Sequence, residues 1–177
     1  MRSLLLAFLM LPAFSNDAAR AQEDEETQPI QRYLVDLRLG DGLEEVRRVY
    51  PPAQDWPFRV DQRRDITRYR VEKGLAKRFP RKVQILHLGF RKGRLVEIQA
   101  VYDAKFSREK TYEKLAGEFA LLYGEASRSG DRFWWADAVT VLRVFPVELP
   151  VLKDGEKSAE WRTSVQIYRK DVFESAD

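Results

Sequence analysis

Residues 83–124, VQILHLGFRKGRLVEIQAVYDAKFSREKTYEKLAGEFALLYG, decide how this chain folds. Val83–Phe90 and Leu95–Tyr102 are apolar runs of strand length joined by Arg91-Lys92-Gly93-Arg94. Gly93 can take the positive φ that a tight hairpin turn needs. A helix then opens at Phe106-Ser107, with Ser107 as its expected N-cap and Glu109 in its first turn. Tyr112, Leu115, Ala116, Phe119, Leu122 and Tyr123 fall three and four residues apart and line one helical face. Gly124 supplies the stop. Strand, turn, strand, helix is the unit of an α+β fold in which a helix covers one face of an antiparallel sheet.

The flanking sequence extends that unit both ways. Tyr33, Val35, Leu37 and Leu39 alternate with Leu34, Asp36 and Arg38, which predicts a first strand. Asp41-Gly42-Leu43-Glu44 fits a capping box, so a helix is expected over 43–50, ended by Pro51-Pro52. Residues 51–64 read as loop and Asp65–Glu72 as a strand with Thr67, Tyr69 and Val71 on one face and Arg68 and Arg70 on the other. Gly74–Lys82 is a basic connection. Phe133-Trp134-Trp135 and Val139–Phe145 form a second hairpin about Ala136-Asp137-Ala138. Residues 146–159, with two prolines and Asp154-Gly155, read as a loop with a turn at its tip, and Trp161–Tyr168 alternates as a half-exposed strand. Val172-Phe173 is a short tail. The expected fold is α+β: one antiparallel sheet, or two abutting, with helices 43–50 and 107–123 on one side. Tyr50-Pro51-Pro52-Ala53 and Tyr123-Gly124-Glu125-Ala126 each close a helix ahead of three strands. That echo suggests a tandem α-β-β-β duplication within a single domain, 32–173, with halves 32–104 and 105–173.

The N-terminal stretch reads as an address rather than as structure. Arg2, the apolar run Leu4–Leu11 and the small-residue sites Ala13-Phe14-Ser15 and Ala19-Arg20-Ala21 mark residues 1–21 as a signal peptide. The run is too short to span a bilayer, so no transmembrane segment is expected in the mature chain. Residues 22–31, with Glu23-Asp24-Glu25-Glu26, read as an acidic disordered linker. The expected location is the periplasm or the exterior. The chain has no cysteine, hence no disulfide, no thiol nucleophile and no lipid-bearing Cys.

Few residues point to chemistry. His87 is the only histidine, placed mid-strand with Val83 and Ile85, and no partner that would make it a general base is visible. No phosphate loop, dinucleotide fingerprint, nucleophile elbow or metal-ligand spacing occurs, so neither a cofactor nor catalysis is expected. Arg59–Arg94 concentrates thirteen basic residues against three acidic ones in a chain of net charge +3. Such a patch suits an anionic surface, and an exported protein meets nucleic acid rarely. Arg68, Arg70, Lys82, Arg91, Lys92 and Arg94 are its candidate binding residues. Trp134 and Trp135 are adjacent, so a strand sends one to the core and the other to the outer sheet face or under a loop, and both join the candidates. Trp161 shares a stripe with Val165 and Ile167 and is expected in the core.

Leu39-Gly40-Asp41-Gly42-Leu43-Glu44-Glu45-Val46, running to Tyr50-Pro51, resembles the opening of small exported proteins of the outer-membrane-assembly lipoprotein and β-lactamase-inhibitor-protein type. The resemblance implies helices packed on one face of an antiparallel sheet, and a partner held on the other. This chain departs from both patterns in lacking cysteine. Three functions follow as expectations. The leading one is a non-catalytic binding or scaffold protein that holds a protein partner on its open sheet face. The second is a peripheral binder of anionic envelope surfaces through 59–94. The third, disfavoured by the missing acid–base partner, is an enzyme about His87.

Overall fold

The computed structural model describes residues 28–153 and 155–174. The expected signal peptide, most of the expected acidic linker and Asp154 lie outside the described residues. The fold is α+β. Eight strands form one antiparallel sheet: β3 (Phe58–Asp61), β4 (Ile66–Glu72), β5 (Val83–Arg91), β6 (Arg94–Tyr102), β7 (Ser127–Ser129), β8 (Arg132–Ala136), β9 (Thr140–Lys153) and β10 (Glu156–Arg169). Their order across the sheet is β3-β4-β5-β6-β10-β9-β8-β7. Two four-strand meanders therefore meet where β6 pairs with β10. Helix α1 (Leu43–Val49) precedes the first meander; α2 (Ala104–Glu109) and α3 (Tyr112–Tyr123) precede the second. The expected echo is thus a helical part followed by four strands rather than three, the extra strands being β3 and β7. One core spans both meanders, joining Val46 and Tyr50 of α1, Leu115 and Ala116 of α3, and Val71, Leu86, Ile98, Leu142 and Ile167 of the sheet.

Several local expectations are corrected. The strand expected over 33–39 is a two-stranded hairpin, β1 (Tyr33–Leu34) and β2 (Leu37–Arg38), because Val35 and Asp36 both take positive φ. Asp41 does not cap α1: its carboxylate accepts the Arg38 N–H, and the N-cap position falls to Gly42. The single helix expected from Ser107 is two. Asp103 caps α2 by accepting the Phe106 N–H, and Thr111 opens α3 by accepting the Lys114 N–H. The break between them is tied to the sheet. Thr163 N–H donates to Ser107 Oγ at 3.0 Å, and Thr163 Oγ1 donates to the Lys110 carbonyl at 2.9 Å. A carbonyl freed by the interrupted helix is satisfied there by β10.

The loop expected over 146–159 is the greater part of a long hairpin arm in which Thr140–Lys153 pairs with Glu156–Arg169. Its two prolines are compatible with a strand for a definite reason. Pro146 lies opposite Thr163, whose N–H leaves the ladder for Ser107, so this is a non-hydrogen-bonded pair. Pro150 is four residues on and shares that phase. β8 pairs with β9 only as far as Val144, so both prolines sit where the strand has a free edge. Part of the loop expected at 51–64 is likewise strand, β3. The linker expected over 22–31 docks at its described end: Ile30 is buried, and its N–H donates to Asp137 Oδ2 at 2.9 Å.

Candidate functional site

The helices cover one face of the sheet. On the other, three rows of side chains cross the strands. The first runs Arg68, Gly89, Glu97, Tyr168, Val141; the second Arg70, His87, Gln99, Gln166, Arg143, Trp134; the third Glu72, Ile85, Val101, Ser164, Phe145. The outer rows are covered over most of their length, with Glu72 at the end of the third left exposed. Helix α4 (Lys170–Phe173) folds onto the first, where Val172 and Phe173 pack on Ile66 and Val96 and the Phe173 ring sits 4.7 Å from that of Tyr168. The arm curls over the third, bringing Val147 and Leu149 onto Ile85 and Val101. Between these two covers the second row stays half-exposed, with Arg70 the most open at its end. It forms a shallow trough across six strands, about 24 Å long at the usual interstrand spacing.

The trough is built on fixed supports. Arg68 Nε donates to Glu97 Oε2 at 2.7 Å and its Nη1 to Asp61 Oδ2 at 2.9 Å. That hydrogen bond from Arg68 holds the Asp61 carboxyl below its ordinary range. Glu97, only 6% exposed, accepts from Gln166 Nε2 at 2.7 Å, and Gln99 Nε2 donates to Ser164 Oγ at 3.0 Å. Both floor amides are thus held through their NH₂ groups, with the carbonyl oxygens left for the trough. The Arg143 guanidinium lies 4.7 Å from the Tyr168 ring centroid, and no ion pair engages it among the described residues. Gly89 keeps the floor low beside Glu97, since a Cβ there would meet Glu97 Oε2 at 2.8 Å.

The candidate residues fall in three separate places. Arg68 and Arg70 project from the open face as expected, but Arg68 is neutralised by Asp61 and Glu97, and Arg70 pairs with Glu72 at 2.8 Å. Arg91, Lys92 and Arg94 surround the β5–β6 tip and line a cleft of 290 Å³ with Arg169 and Asp171 beside α4. Lys82 is at the opposite end of β5, about 30 Å away at strand rise, with its ammonium 5.5 Å from the Phe106 ring centroid on the helix side. The single continuous positive surface expected over 59–94 does not form. Trp135 enters the core under α3, where its indole N–H donates to the Gly124 carbonyl at 2.9 Å; Trp134 lies at the end of the trough. Trp161 corrects the expectation of burial. It is 63% exposed, because its stripe runs past the α2–α3 break, beyond the helices that cover Val165 and Ile167.

His87 sits in the trough floor between Arg70 and Gln99. A bulge between Val83 and Ile85 puts Val83 in the helix-side core and so separates it from His87. Burial, reinforced by the Arg70 and Arg59 guanidiniums, pushes the imidazole below its ordinary pKa, which leaves it neutral near pH 7. No carboxylate hydrogen-bonds either ring nitrogen among the described residues. Arg59, Arg68, Arg70 and His87, with Pro57 and Phe58, line a pocket of 250 Å³ at this end of the trough. Among the described residues no three His, Asp or Glu side chains cluster as metal ligands, and no helix is long and apolar enough to cross a membrane.

Sequence reading missed Gln99, Gln166, Arg143 and Tyr168. Their signal was present, since period-2 alternation puts Gln99 opposite Ile98 in facing, and Gln166 opposite Ile167. The covers were not signalled: a four-residue tail and a proline-bearing segment reveal nothing of where they fold. Comparison with protein-family models, with curated proteins and with solved structures finds no match to this chain.

Proposed function

We propose that this chain is a non-catalytic binding protein, exported to the periplasm or the exterior, that holds an extended segment of a protein partner along its open sheet face. One observation carries the reading. Six side chains from six strands form a continuous half-exposed row, while the rows on either side are covered over most of their length by the chain's own α4 and arm. Covering both flanks converts a flat face into a trough about one extended chain wide. Floor groups that combine amides, guanidiniums and an indole suit main-chain and side-chain contacts of a peptide. The resemblance to helix-on-sheet exported proteins supports the same use of the face.

The test is site-specific photocrosslinking in the cell of origin, with the crosslinking residue at Gln99 or Gln166 and, for contrast, at Lys105 or Leu121 on the helix side. Adducts to one protein species from the floor positions alone are expected. Equal adducts from the helix side, or none from the floor, would overturn the reading.

A second reading, docking on an anionic envelope surface, draws on one feature: Arg91, Lys92, Arg94 and Arg169 gather at one cleft. Co-sedimentation with anionic vesicles that is abolished by Arg91→Glu/Lys92→Glu and by added salt supports it. Binding unaffected by either removes it.

A further inference from the structure

The Arg70 end of the trough differs from the rest of it. Four strands contribute there. Arg59 of β3 stands opposite Arg68 of β4, and Arg70 of β4 stands opposite His87 of β5. Glu97 of β6 and Asp61 of β3 both lie on Arg68, so that charge is consumed locally. Glu72 takes the Nε of Arg70, at an exposed position where each side chain is half open to water. Arg59 has no ion pair among the described residues. The pocket of 250 Å³ is therefore walled by the Arg59 guanidinium, by that of Arg70, of which Glu72 takes only the Nε, and by a neutral imidazole, with the Phe58 and Pro57 edge closing one side.

We propose that this pocket takes the carboxylate of an acidic side chain carried by the partner's extended segment, and so fixes the register of that segment in the trough. The inference rests on the trough reading above. Charge complementarity assigns the occupant: planar guanidiniums pair with a carboxylate through two parallel N–H donors. A half-buried neutral imidazole adds an N–H donor. The groups facing His87 are Arg70 and Glu72 from β4, Arg59 from β3 and Glu97 from β6. An added carboxylate shifts that balance toward the imidazolium, so the His87 titration midpoint rises on binding. The other end of the trough, at Arg143 and Trp134, offers one cation and an indole, and the 210 Å³ cleft that Trp134 borders there is lined by Glu125 and Asp137 and by no guanidinium.

His87 is the only histidine in the chain, so its ring signals in an NMR spectrum report this pocket without ambiguity. The full chain is titrated with an end-blocked nonapeptide alternating Glu and Ser, with the same peptide carrying Gln for Glu, and with inorganic phosphate. The Trp134 indole signal, assigned with Trp134→Phe, reports the far end of the trough. The acidic peptide is expected to move both signals and raise the His87 midpoint, and the neutral peptide to move only the indole. Arg59→Gln/Arg70→Gln weakens the acidic peptide about tenfold, as removal of close charge partners at an interface does, and leaves the neutral peptide unchanged. Lys92→Gln changes neither. An acidic peptide that moves the indole but leaves His87 still overturns the carboxylate pocket while the trough stands. Peptides that move neither signal overturn both. Phosphate that moves His87 as tightly as the acidic peptide overturns the assignment to a peptide side chain.

Discussion

Two rows of residues cross the same six strands one position apart. Tyr69, Leu88, Ile98, Ile167, Leu142 and Trp135 face the helices; Arg70, His87, Gln99, Gln166, Arg143 and Trp134 face away. Each member of one row is the chain neighbour of a member of the other. Most of the first row is buried in a single core that both meanders share. The second row carries no aliphatic side chain, and hydrogen bonds to the flanking rows hold its amides in place. Strand alternation thus writes a stabilising surface and a recognition surface on one backbone. A substitution in the first row is felt in folding. The same kind of substitution in the second is felt in binding.

The adjacent tryptophans give the sharpest form of this contrast. Trp135→Ala removes a core indole that contacts Phe119 at 5.9 Å between ring centroids and bonds the Gly124 carbonyl. A loss of about 3–5 kcal/mol is expected, the range for large aromatic truncations in cores. Trp134→Ala, one residue away, should cost less than about 1 kcal/mol, as partly exposed sites do. Denaturant unfolding of both variants measures the difference; equal losses would break the two-row picture.

On the open face, the Arg68–Glu97 pair is the most buried of the ion pairs among the described residues. Arg68→Met strands a carboxylate that is 6% exposed. The expected loss is about 2–3 kcal/mol, slightly below the range for broken buried pairs, because the Arg68 side chain keeps 17% exposure. The double variant Arg68→Met/Glu97→Met should recover most of that loss in the same unfolding measurement. A double variant no better than the single would mean that Glu97 matters through Gln166 rather than through Arg68.

Asp137 tests how firmly the N-terminal segment belongs to the domain. Burial pushes its carboxyl up, but N–H groups of Val139, Thr140 and Ile30 outweigh that and hold it below its ordinary range. A carboxyl depressed in the folded state stabilises fully above its unfolded value of about 3.9. That contribution is lost as pH falls through the folded value. Asp137→Asn should cost about 1 kcal/mol at neutral pH, the scale of a charge-assisted hydrogen-bond set partly replaced by an amide. It should also flatten the loss of stability below about pH 4, near the unfolded carboxyl value. Faster amide exchange at Ile30 in the variant would confirm the link.

Much of this fold could be read in advance, and the misreadings have physical causes. The β5–β6 hairpin was legible because two alternating runs flank a glycine that adopts positive φ, 74° at Gly93. The α2–α3 break was not, because 104–111 holds no glycine or proline to mark it, while the partner that stabilises the break, Thr163, is 53 residues from Lys110. The arm was misread because proline argues against strand unless the ladder phase is known. The basic segment illustrates the limit for the site. Sequence counts charges but does not reveal that Arg68 is spent on Asp61 and Glu97, or that Arg70 pairs with Glu72.

Trp161 carries the smallest expected effect and the most exposed large aromatic ring on the arm. It continues the helix-side stripe of β10, yet the helices end before reaching it. Its neighbours on that face of the arm are Glu148 and, two residues on, Ala159 opposite Pro150. Leu152, 76% exposed, extends the same strip toward the tip. The ring borders a cleft of 360 Å³ with Tyr112, Glu113 and Asp131, in which Tyr112 donates to Asp131 Oδ1 at 3.3 Å. Little apolar area is withdrawn from water at this position, so Trp161→Ala should change stability by less than about 0.5 kcal/mol, the usual scale at exposed sites. A loss above about 2 kcal/mol, which only a buried aromatic or a broken network produces, would mean that the arm packs against something the isolated chain does not show. Tryptophan fluorescence gives an independent check. Trp161 should be the indole most readily quenched by iodide, and Trp161→Phe should remove most of the quenchable signal. If that signal persists, the exposed indole is Trp134, and the open face is wider than its two covers imply.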